Sequence, residues 1–314
     1  MPHIVLVHGI GQTQQSADTL ENEWLPALAG GIRLAGDPVL ADRLTNRITP
    51  SGIEVRMAFY GNQFLHPDAQ GPAATGVDPG LQELADVYAI AILRTAAEHA
   101  PDARDRDDAA RELRALDEAH NPRADAQGVR RRARRPLTVA SKLRWFGPMV
   151  IRAGAHTIQP ALMEAVRYLS DPDLRTAAQH QVRDLIGEDT CLVIGHSLGS
   201  VVAYEALHRL PEGHRPLHLI TLGSPLGMHG VFYEKLQPQP AYVPPVVATW
   251  HNFASPDDLV ALTLDLAPLY PAATAGGAAI ATKGNLDTGA EPHSAVHYLT
   301  KRSVGAAAAA AFQD

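Results

Sequence analysis

One cysteine among 314 residues, Cys191, leaves no partner for an internal disulfide, and that scarcity fits a reducing compartment. Cys191 stands in an apolar run, where a thiol fills core space and is not set up as a nucleophile. The sequence also has no run of about 18 apolar residues to cross a bilayer. No basic segment with a small-residue cleavage site precedes its first apolar stretch, because Met1-Pro2-His3 leads directly into Ile4-Val5-Leu6-Val7. A cytoplasmic protein with no stable membrane insertion is expected. Positive charge is short as well. With 27 Lys and Arg against 34 Asp and Glu, the net charge is −7, which gives no general pull toward nucleic acid or an anionic surface. The Arg-rich run at 130–135 is balanced by the acids of 101–125 and reads as a solvated loop. Fifteen histidines include no H-x-E-x-H, HExxH or C-x-x-C spacing. His214 and His218 are four apart, but Pro216 between them breaks a shared helical face. No metal and no cofactor are expected. Oligomeric state is not set by any feature of the sequence.

What is present is a globular composition, 46% apolar and 19% charged, long enough for one large α/β domain or two small ones. Short apolar runs at 3–8, 53–60, 190–196, 217–222, 246–253 and near 278–283 read as strands. A helical pattern at 18–29 carries Pro26, which is expected to kink or shorten it. Strands alternating with helices predict a mostly parallel sheet wrapped by helices, an α/β fold. Between about 61 and 188 no convincing strand occurs, only helical patterns at 80–99, 103–119 and 139–169. Residues 65–170 are therefore expected to form a helical cap insertion over a core of 1–64 and 171–314. Proline- and glycine-rich pieces at 66–80 and 236–245 read as loops, and the alanine run 306–311 as no more than a helix end.

The chemistry concentrates at 190-TCLVIGHSLGSVVAYEAL-207. A strand ends, turns at Gly195-His196-Ser197-Leu198-Gly199 and becomes a helix. Such a turn holds its serine in a strained conformation with Oγ exposed above the sheet, and glycines on both sides let the two backbones pass closely. The serine also meets the helix N-terminus, where free N–H groups favour developing negative charge. His8-Gly9-Ile10-Gly11 follows the first strand as an oxyanion-hole loop should, with the N–H groups of Ile10 and Leu198 as donors. A dinucleotide turn is excluded there because position 14 is Gln14, and no Lys-Ser/Thr pair follows for a P-loop. His8 reads as a structural loop histidine. A serine nucleophile needs a base and an orienting carboxylate. Asp257 and Asp258 fall just past the strand at 246–253, His293 on the loop before a helix that Ser294 could cap, and His297 one turn inside that helix.

These motifs together resemble the serine esterase/lipase group of the α/β-hydrolases. The resemblance rests on the HGxG-type loop at 8–11, the GHSLG elbow at 195–199, Thr221-Leu222-Gly223-Ser224-Pro225 after the next strand, and an acid loop. That loop follows N-x-x-x-P-x-D-x-V through Asn252, Pro256, Asp258 and Val260, and it covers, with the rest, residues 1–60 and 175–305. It favours Asp258 over Asp257 and His293 over His297. The chain departs from the family pattern in starting at what would be the third strand and in placing the insertion early. The resemblance implies a small-molecule acyl ester as substrate, hydrolysed on Ser197, His293 and Asp258. Thioesters, amides and acyl transfer would use the same residues, and a catalytically idle binding module would keep the same fold. Within the cap, 143-LRWFGPMVIRAGAHTI-158 is amphipathic with a Gly-Pro break, and Trp145 and Met149 are expected to line the acyl pocket.

Overall fold

The computed structural model describes residues 3–45, 52–65, 103–119 and 158–313, with parts of 86–98, and omits the single positions 262 and 276. Trp145, Met149, the 66–80 loop, the 139–157 part of a helical pattern and the arginine run 130–135 lie outside the described residues. The chain divides into two compact units, residues 1–70 with 171–314, and residues 71–170.

In chain order the elements are β1 (His3–Val7), α1 (Ala17–Ala35), α2 (Pro38–Thr45) and β2 (Glu54–Ala58). Next come α3 (Ala103–Ala119) and α4 (Ile158–Ser170), both in the second unit, followed by α5 (Pro172–Arg183), β3 (Thr190–His196), α6 (Leu198–Leu207) and β4 (Leu217–Leu222). The chain ends with β5 (Val247–Phe253), β6 (Ile280–Lys283), α7 (Ala295–Leu299) and α8 (Arg302–Ala310). The six strands form one sheet in the order β2-β1-β3-β4-β5-β6, and every neighbouring pair is parallel. The fold is therefore α/β, as the alternation of strands and helices predicts.

Parallel strands buried on both faces read as continuous apolar runs, since successive side chains point to opposite sides. Ile4, Leu6, Leu192, Ile194, Ile220, Leu222 and Phe253 pack into one cluster with α1, α2, α7 and α8. The intervening Val5, Val7, Val193 and Leu219 are equally buried, on the side where α6 packs on β1 and β3 and α5 packs on α6. Each such side chain contributes about 1.5–3 kcal/mol on burial.

The helices start and stop on recognisable signals. Ser16 caps α1: its Oγ accepts the Thr19 N–H at 3.2 Å and the Ser16 N–H donates to Thr19 Oγ1 at 2.9 Å. Gly36 ends that helix in a left-handed conformation, φ 104°, which only glycine adopts cheaply. Pro26 does not shorten α1, which runs on to Ala35. The lost bond to the Asn22 carbonyl costs about 3 kcal/mol, and burial of Leu20, Trp24, Leu25, Leu28 and Ile32 outweighs it. Asp171 caps α5, with Pro172 at the first helical position. The alanine-rich α8 is more than a frayed end, because it packs along α1.

A buried ion pair fixes the helix behind the sheet. Glu205 of α6 is fully buried and is gripped by the Arg175 guanidinium of α5, whose Nε donates to Glu205 Oε2 at 2.8 Å. Gln179 Nε2 and the Gln237 N–H also donate to the carboxylate, at 2.7 and 3.0 Å. Such a carboxylate is tolerated only when its oxygens are all engaged.

Candidate active site

β1 lies between β2 and β3, so the winding of the chain reverses between β1 and β3. At such a switch point the loops leaving the carboxyl ends of the two strands diverge and open a crevice, the usual ligand position in an open α/β sheet. The loop from His8 to Gly11 leaves β1 and the Ser197 turn leaves β3. The two meet so closely that a side chain at Gly9 would come within 2.7 Å of Ser197 Cβ.

Ser197 has φ 55° and ψ −130°, the one positive φ outside glycine among the described residues. Strain of this kind costs about 1–3 kcal/mol and persists only where the surroundings impose it. The glycines of the turn show how. A Cβ at Gly195 would sit 2.7 Å from Ser200 Cα, and one at Gly199 would overlap the carbonyl oxygens of Val7 and His8. Gly199→Ala is accordingly expected to cost about 3 kcal/mol or more, read as a lowered urea midpoint. A midpoint within error of the parent would refute this packing argument.

Ser197 occupies the N-cap of α6, yet its hydroxyl makes no capping bond. It faces His293 instead, with Oγ 2.9 Å from Nε2. His293 Nδ1 is 2.9 Å from both Oδ1 and Oδ2 of Asp258. A carboxylate can only accept, so Nδ1 carries the proton and Nε2 is left bare to accept the serine O–H. Asp258 has no exposed side-chain surface. Burial alone would raise its pKa, but the His293 charge, with hydrogen bonds from His293, the Tyr298 hydroxyl and the Val260 N–H, holds the carboxyl below its ordinary value.

The alternative residues stand elsewhere. The Asp257 N–H turns to Ser255 Oγ at 3.4 Å, and His297 donates from Nδ1 to the Thr288 carbonyl at 2.7 Å. Leu198 is the first residue of α6, so its N–H has no acceptor within the helix.

Two further histidines brace the site as neutral groups. His8 donates from Nδ1 to the Gly9 carbonyl at 2.7 Å and accepts the Tyr60 N–H on Nε2 at 3.1 Å, with the Tyr60 ring stacked 4.2 Å away. Both of its ring nitrogens are thus engaged by backbone groups. His196 donates from Nε2 to the His293 carbonyl at 3.0 Å and holds the loop that carries the imidazole. Burial pushes His8 down to about 4 and His196 down to about 3. In the unfolded chain both titrate near 6.5. Below that pH unfolding takes up protons, so stability falls as pH drops from about 6.5 toward 4, by about 2–3 kcal/mol per histidine at pH 4.5. Urea midpoints at pH 7 and 4.5 measure this, and equal midpoints would show that the two rings are not kept neutral.

Three participants went unrecognised in the sequence: His196, Gly223 and Tyr298. Gly223 has φ 54°, and a Cβ there would lie 2.6 Å from Asp258 Oδ2 and 3.2 Å from His293 Nδ1. Its place in the TLGSP stretch was the available signal. Tyr298, five residues after His293, is marked by no spacing rule. Among the described residues, no group of three or more His, Cys, Asp or Glu is gathered to hold a metal ion, and no helix is long and apolar enough to cross a membrane. Comparison with protein-family models, curated proteins and solved structures finds no match to this chain.

Proposed function

We propose that the protein is a serine hydrolase of the α/β-hydrolase type, cleaving carboxylic esters of small to medium acyl groups through an acyl-enzyme. One observation carries the reading: Ser197 Oγ, both nitrogens of His293 and the Asp258 carboxylate lie in one hydrogen-bonded line, on a strained turn at the sheet's switch point. In this reading His293 Nε2 takes the Ser197 proton as Oγ attacks the acyl carbonyl. The same nitrogen then returns the proton to the leaving alcohol. Asp258 keeps the proton on Nδ1 and stabilises the imidazolium. The Leu198 and Ile10 N–H groups meet the tetrahedral oxyanion. Water, activated by His293, releases the acid and restores Ser197. Residues 65–170 would then be the helical insertion expected from the sequence.

A fluorophosphonate probe, with mass-spectrometric mapping of the adduct, tests the proposal. Labelling confined to Ser197, with turnover of p-nitrophenyl esters favouring short and medium chains, is expected. An unlabelled, inert protein would instead be a binding module built on a hydrolase-like sheet.

A further inference from the structure

We infer that Tyr298 is a positioning residue of this site, whose hydroxyl holds the Asp258 carboxylate and tempers its pull on His293. The inference rests on the proposed roles of Ser197, His293 and Asp258. The hydroxyl is fully buried at the end of α7 and donates to Asp258 Oδ2 at 2.8 Å while accepting the Ser255 N–H at 2.9 Å. On the other carboxylate oxygen the Val260 N–H donates to Oδ1 at 3.0 Å. Each oxygen thus has one fixed donor besides His293, and the carboxylate presents both edges to Nδ1 equally, 2.9 Å from each. The phenol cannot surrender its proton to do this work. Burial, and then the neighbouring Asp258 charge, push it well above its ordinary value, so it remains a donor wherever Asp258 is ionised.

A hydroxyl dipole pointed at a carboxylate reduces the negative potential that the carboxylate exerts on its other partner. Without it, Asp258 would stabilise the imidazolium of His293 more strongly and would keep a fixed donor besides His293 on one oxygen only, the Val260 N–H. Among the described residues, the titratable and polar groups that face the His293 ring are Asp258 from the loop after β5, Ser197 from the elbow and His196 from β3, its ring centroid 4.7 Å away, with Tyr298 from α7 behind Asp258. Asp258 is the one charge among them near neutral pH, so its modulation dominates the response.

The experiment is Tyr298→Phe in the full chain, with the His293 imidazole titrated by NMR and assigned by loss of its resonance in His293→Ala. The His293 titration in the variant is expected to move to higher pH than in the parent. The acid limb of the ester-hydrolysis profile should rise with it, with kcat about tenfold lower and KM unchanged. In an Asp258→Asn background Tyr298→Phe should cost no further kcat, because its effect passes through Asp258. An unmoved His293 titration, or an equal loss of kcat in both backgrounds, overturns the inference. If Tyr298→Phe does not fold, replacing Tyr298 by 3-fluorotyrosine keeps the Ser255 bond and strengthens the donor, and His293 should then titrate lower; no movement overturns the inference. A shifted titration in a protein that fluorophosphonate does not label refutes the hydrolase reading while leaving the Tyr298 coupling intact.

Discussion

On the proposed reading, Ser197→Ala is expected to abolish ester hydrolysis, with kcat down by about 10⁵-fold or more and the fold intact. Losing a nucleophile that acts in concert with its base removes nearly all of the group's joint contribution. Residual turnover above about a hundredth of the parent would show that another group attacks the carbonyl. The same position also separates chemistry from backbone strain. Alanine keeps the positive φ of 55° and its cost, whereas glycine adopts that conformation freely. Ser197→Gly should therefore be more stable than Ser197→Ala by about 1 kcal/mol, although both are inactive. If the two melt together, the turn does not impose strain, and the argument for a built nucleophile turn loses its physical basis.

The sheet was legible in the sequence because both faces of a parallel strand are buried. Runs such as Ile4-Val5-Leu6-Val7 and Leu217-His218-Leu219-Ile220 are continuous, short and bounded by loops. Their order was not legible, since strand position depends on which helices pack across which face. The continuation of α1 past Pro26 was not legible, because propensity counts the lost hydrogen bond and not the apolar face that pulls α1 onto the sheet. The helices α2 and α5 are short, 8 and 12 residues, and tertiary packing and caps fix them.

The site divides in the same way. Ser197, with glycines on both sides, announces itself because sterics allow few residues in that turn. The choices between Asp257 and Asp258, and between His293 and His297, could not be made from local chemistry. Each pair has the same functional groups, and only the path of the chain through β5 and β6 decides which one faces the serine. The Tyr298–Asp258 and His196–His293 hydrogen bonds span sequence distances of 40 and 97 residues, for which no local pattern exists.

Asp258→Asn and His293→Ala should each lower kcat by about 10³–10⁵-fold, whereas Asp257→Asn and His297→Ala should change it less than about threefold. The argument for Asp258 follows from its donors. The Val260 N–H and the Tyr298 hydroxyl both point at its side chain, so an amide there must direct its NH₂ at one of them or at His293. Facing His293, the NH₂ needs a bare Nδ1, which moves the imidazole proton to Nε2 and removes the acceptor that Ser197 requires. His293→Ala deletes that acceptor outright. The Asp257 N–H turns back to Ser255 Oγ, away from this line of bonds, and His297 is committed to the Thr288 carbonyl, so His297→Ala should appear as a small loss of stability instead. The measurement is kcat for the four variants on one p-nitrophenyl ester at pH 8, beside their melting temperatures. A reversed ranking within either pair would move the catalytic group by one residue or one helical turn, and equal effects across all four would dissolve the hydrogen-bonded line as an account of catalysis.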